Sequence, residues 1–178
     1  MSRLFRALAT VALACAALSP LTGQAQSGHE ALDRFMALQG AVRLVVCEQV
    51  LADTAATFAV LADEPDLFTR EAREDNVRKA RATLAASLVY SALSKDVPDR
   101  AKEFGEAYAE SVLEDSGSVV VHTTYCLRML NEAVREDLIP QELLAAAKKA
   151  AEETLDEVLG PRLQDNSGPA RGDTPFRL

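Results

Sequence analysis

Between residues 35 and 62 apolar side chains recur at every third or fourth position. One line runs through Met36, Gly40, Leu44, Cys47, Leu51, Ala55, Phe58 and Ala62, and a second through Phe35, Leu38, Val42, Val45, Val46 and Val50. That period is helical, and it predicts a first helix from Ser27 to about Asp63. The only charges between Phe35 and Ala62 are Arg43, Glu48 and Asp53, and on a helix they point in three different directions. A helix apolar most of the way round is a buried one, so it is expected at the centre of the fold or under a second subunit. Unbroken it would be about 50 Å long; Gly40 is the place for an early break.

Four further segments follow. Asp63 as cap and Pro65 in the first turn predict a second helix running to about Ser94. Phe68, Ala72, Val77, Ala80, Leu84, Leu88 and Leu93 make its inner side, and the mixed charges from Arg70 to Arg81 a solvated face. After the turn Lys95 to Asp99, a third helix turns Phe104, Ala107, Tyr108, Ser111 and Val112 inward. Glu114-Asp115-Ser116-Gly117-Ser118 is the strongest internal breaker, with one helix kinked at Gly117 as the alternative to separate third and fourth helices. The β-branched run Val119-Val120-Val121 has no second strand to pair with, so it opens a fourth helix, from about Ser118 to Asp137, with Val119, Thr123, Cys126, Leu130 and Val134 on one line. A fifth, from Gln141 to Leu159, buries Leu143, Leu144, Ala147, Ala151, Leu155 and Leu159, and Gly160-Pro161 is expected to stop it. The fold class is therefore all-α: a four- or five-helix bundle around a central first helix.

The N-terminus changes the context. Arg3 and Arg6 precede the apolar stretch Leu8 to Leu18, then Pro20, and small residues before Ala25. This is the pattern of a secretory signal peptide over residues 1–25, too short to span a membrane, and no membrane span is expected. Ala12-Leu13-Ala14 before Cys15 lacks the usual leucine three positions upstream of a lipoprotein cysteine, so acylation at Cys15 is not favoured. Residues 26–163 make one helical domain, and residues 164–178 a polar, disordered tail. The chain is predicted to be periplasmic or secreted.

Export bears on the cysteines. Cys47 and Cys126 are the two that survive cleavage, and an even count in an oxidising compartment predicts one disulfide, Cys47–Cys126. It closes a loop of 79 positions. The formal charge of −8 argues against nucleic acid and anionic lipid surfaces as partners.

Candidate chemistry is sparse. His29 and His122 are the only histidines. His122 lies one turn before Cys126, a spacing that can begin a metal site with Cys47 and Glu48 completing it, but the disulfide consumes both sulfurs, so neither metal nor cofactor is expected. There is no Cys-x-x-Cys-His, no Gly-x-Ser-x-Gly and no Gly-rich phosphate loop. Tyr90, Tyr108 and Tyr125 read as core residues, and Arg171-Gly172-Asp173 as a chance tripeptide. The functional reading is an exported interaction protein (adaptor, inhibitor, immunity- or chaperone-like) with no chemistry of its own, whose partner is another exported protein or a second copy. One alternative is a bundle that binds a lipid or small molecule between its helices. The other is an enzyme using His122, the candidate functional residue.

Overall fold

The computed structural model describes residues 33–165, with side chains to residue 160. The leader 1–25, Cys15, His29 and the segment 166–178 with Arg171-Gly172-Asp173 lie outside the described residues. Five long helices follow a short helical segment at 33–37: α1 Gly40–Ala62, α2 Arg70–Leu93, α3 Asp99–Leu113, α4 Ser116–Arg135 and α5 Gln141–Asp165. No strand occurs among the described residues.

The first helix is shorter than its apolar pattern predicts. The chain breaks at residues 38 and 39, where Gln39 takes extended backbone angles before Gly40 opens α1. Its 23 residues give a length of about 35 Å. The break lets Phe35 fold back to complete burial.

Centrality holds. From Ala41 to Ala62 only Gln49 and Ala52 are exposed, because α2, α3 and α4 all pack on α1. By length and composition α1 would suffice to cross a membrane, and here its apolar surface is spent on neighbouring helices. One core cluster gathers Phe35, Val46, Cys47, Val50 and Leu51 with Tyr90, Ala109, Val112 and Cys126.

The α1–α2 contact, the most extensive in the fold, is built from small residues. Ala80, Thr83, Ala86, Ser87 and Ser94 are buried, whereas Leu93 is exposed. The buried hydroxyls are satisfied: Thr83 donates to its own helix at Lys79 O, and Ser87 donates across to Glu48 O at 2.9 Å. This arrangement satisfies the rule that a buried polar group needs a partner.

Three further expectations are corrected. The cap of α2 is Thr69, whose hydroxyl accepts from Ala72 N; Pro65 lies in a turn before the helix. Phe104, Ala107 and Ser111 of α3 face outward, and the inner side is Gly105, Ala109 and Val112. Gly160-Pro161 does not stop α5, which continues to Asp165. Helices α3 and α4 are separate, divided at Asp115, which accepts from the amides of Gly117 and Ser118 as the cap of α4.

The last helix stands apart. It packs along α2, where Arg81 pairs with Asp156 at 2.6 Å and with Glu152 at 3.7 Å. Leu155 and Leu159 meet Ala80 of α2 and Ala62 at the end of α1. Helices α4 and α5 share no broad face; they converge only near their linker, where Val89, Ile139 and Ala147 form a small cluster.

Candidate functional site

Two places bring the sequence candidates or a surface concavity together. The first surrounds the disulfide. Cys47 and Cys126 are bonded, with Cα atoms 5.5 Å apart, so neither sulfur is available as a thiolate ligand. Among the described residues, no three His, Cys, Asp or Glu side chains converge as a metal site would require. Around the bridge, Tyr90 donates its hydroxyl to Cys126 O at 2.8 Å. Thr54 Oγ1 donates to Val50 O, which leaves it to accept from Thr123 Oγ1, 2.9 Å away.

One turn back along α4 sits His122, 1% exposed. Its Nδ1 lies 2.7 Å from Ser118 O. A carbonyl only accepts, so Nδ1 carries the proton and Nε2 is the acceptor when the ring is neutral. Tyr108 OH is 3.5 Å from Nε2. Phe35 meets the His122 ring edge-on at 5.0 Å and the Tyr125 ring at 5.4 Å. Burial pushes the His122 pKa down, opposed by the Ser118 carbonyl, and it raises that of Tyr108, opposed by Arg34. Ser118, the serine nearest in sequence, donates its hydroxyl to Asp115 instead. The arrangement is a closed aromatic box holding a neutral imidazole: the helical spacing predicted the His122 and Cys126 neighbourhood, but not the return of Phe35 as its lid.

The second place is a groove that no sequence pattern announced. Because α4 and α5 diverge from their linker, a concavity of about 650 Å³ opens between them over α2. Its floor is Ala82, Ala85, Ala86 and Val89 of α2; one wall is Leu127, Leu130, Asn131 and Val134 of α4, the other Leu144, Ala147, Lys148 and Glu152 of α5. Arg78 and Arg81 stand where the floor runs out. The signal that could have found it is compositional: Ala82, Ala85 and Ala86 fall with Val89 on one side of α2.

A smaller crevice of about 260 Å³ lies among α1, α2 and α3. It is polar: Ser94 donates to Glu48 Oε2 at 2.6 Å, and Lys102 donates to Lys95 O at 3.1 Å.

Comparison of the chain with protein-family models, with curated proteins and with solved structures gives no match.

Proposed function

We propose that this is an exported binding protein that acts by docking a segment of another polypeptide, without chemistry of its own, and that the groove between α2, α4 and α5 is the docking place. The groove carries this reading. Its floor between Ala82 and Val89 is apolar, as are Leu127, Leu130, Val134, Leu144 and Ala147 of the walls, and it is open to the outside rather than enclosed. An alanine floor lets a helix backbone approach closely, as in recognition of an amphipathic helix by an apolar groove. The disulfide is compatible with export to an oxidising compartment, and the aromatic box around His122 is closed, which supports a role in packing over one in turnover.

The reading is tested by photo-crosslinking in the native envelope. A benzophenone side chain is placed in the groove at Ala82 or Asn131, and at exposed Glu110 on α3 as control. The same polypeptide adduct from both groove positions, with none from Glu110, supports docking. No groove adduct, or equal yield from Glu110, overturns it.

A further inference from the structure

We infer that Phe35 and His122 form an acid-released latch: a proton taken up at His122 expels the Phe35 ring and frees the segment 33–37, while the bundle beneath it stays folded. The latch is independent of the groove between α2, α4 and α5. It is built at the break before α1. Within 33–37 Phe35 is buried, whereas Asp33, Arg34, Met36 and Ala37 are exposed. Leu38 N donates to Phe35 O inside the segment, and no backbone hydrogen bond joins 33–38 to α2, α3 or α4 among the described residues. The segment is therefore seated chiefly by one ring, edge-on to His122 at 5.0 Å and to Tyr125 at 5.4 Å. Gln39, with extended backbone, is the joint about which it swings. The other walls of the box are held independently of it. The bond Cys47–Cys126 ties α4 to α1, and α3 sits on α1 with Gly105 against Val45.

Inside the closed box a second proton on the imidazole has no counter-charge. Nδ1 already donates to Ser118 O. A proton on Nε2 makes a further donor, and the Tyr108 oxygen facing it is 3.5 Å away, too far for a good bond. The surrounding ionisable groups do not compensate. From α3 Tyr108 faces the ring, while Glu103, Glu106 and Glu110 are exposed. On α4 Tyr125 meets Phe35, and the Asp115 carboxylate accepts from the amides of Gly117 and Ser118. On α1 Arg43 shares the side of Val46, Cys47 and Val50, and on the segment Arg34 acts on Tyr108; both are cations. No charged side chain acts on the imidazole itself, which burial keeps neutral. A buried charge without a partner is costly and is relieved by water. Removing Phe35 admits water with the least loss of packing, because α1, α3 and α4 remain on one another.

The test places 4-fluorophenylalanine at position 35 in the chain with its disulfide intact, in the parent and in His122→Asn. Broadening of the fluorine resonance by a soluble paramagnetic chelate reads exposure of the ring. Above the ordinary 6.5 the latch is shut. Between about pH 8 and about pH 5 the ratio of open to closed rises by up to about thirtyfold in the parent, the limit for a group that binds its proton only when open. The Asn variant shows no such rise, and circular dichroism stays unchanged in both. Because the chain has two histidines, His122 can also be followed by proton NMR with His29 as reference. In Phe35→Ala its titration moves up from the parent's toward the ordinary value. A ring that stays shielded at the acid end overturns the latch. So does equal acid exposure in parent and Asn variant, or exposure that comes only with loss of the helical signal. Where the Asn variant leaves the ring exposed at both pH values, the Phe35→Ala titration decides: an upward move sustains the latch and an unmoved one overturns it.

Discussion

Gly105 of α3 lies so close to Val45 of α1 that a β-carbon on it would stand 2.8 Å from Val45 Cβ and 3.3 Å from Val42 O. Contacts that short force backbone to move, because core atoms have no free space to yield into. Gly105→Ala is therefore expected to destabilise the fold by about 1–3 kcal/mol, the usual cost of overpacking, despite alanine's better helix propensity. Urea denaturation reads it. Val45→Ala in the same chain rescues only in part, since Val45 Cβ remains in the way. A stabilised Gly105→Ala variant would mean that α1 and α3 do not approach this closely.

The bridge Cys47–Cys126 joins α1 to α4 across 79 positions. In the chain-entropy model, closing a loop of that size contributes about 4 kcal/mol by restricting the unfolded chain. The double variant Cys47→Ala with Cys126→Ala is expected to lose about that much, and the parent to lose as much on reduction. Tyr90→Phe should cost about 1 kcal/mol more modestly, through the hydroxyl it donates to Cys126 O. A denaturation midpoint that ignores reductant would contradict the bridge.

At the end of α4 the chain reverses through Asp137, the single positive-φ residue other than glycine among the described residues, at φ 56°. Asp137 N donates to Val134 O and Leu138 N to Ala133 O, the paired bonds of a helix end that glycine ordinarily supplies. A side chain is disfavoured there for steric reasons. Asp137→Gly is expected to stabilise by about 0.5–1 kcal/mol, seen as a melting temperature roughly 2–4 °C higher. Asp137→Val should lower it.

How much of this was legible in the sequence depends on what each residue competes with. The period of Cys47, Leu51 and Ala55 marks α1 as central because no other run in the described chain is as apolar, and one oxidised pair then ties it to α4. In α3 the same logic misplaced the inner side. Phe104 looked like core, but Gly105 lets α3 sit so near α1 that only small or slender side chains fit between, and Phe104 is left 56% exposed. The cap of α2 was misread because Asp63 and Thr69 are both good caps, and only the tertiary position of α2 decides between them. In α5, Pro161 forfeits one backbone hydrogen bond yet the helix continues past it. The groove was the least legible feature. Sequence shows which side of α4 and α5 is apolar, but whether two such sides meet or diverge is set by the linker at Leu138-Ile139-Pro140 and by the packing of Leu155 and Leu159 on Ala80 and Ala62, which holds α5 to α2.

Protonation gives a last prediction, at His122. Its ring is enclosed by Phe35 and Tyr108 and by the Ser118 carbonyl that accepts from Nδ1. Burial holds its folded-state pKa below the ordinary 6.5. The unfolded chain therefore binds the proton more readily, and stability rises with pH wherever it does so. The sign follows: this contribution is complete above 6.5, falls as pH drops below that value, and is exhausted beneath the folded-state pKa. The neighbouring tyrosine does not offset it, because the pKa of Tyr108 is raised and it stays neutral throughout. Urea midpoints at about pH 8 and about pH 5 are expected to differ more for the parent than for His122→Asn, which keeps a donor for Ser118 O and cannot take up a proton in this range. The variant is less stable at the higher pH, having lost the aromatic edge against Phe35, so the reading is the difference between the two pH values within each protein. Equal differences in parent and variant would show that His122 is not held neutral by the box of side chains around it.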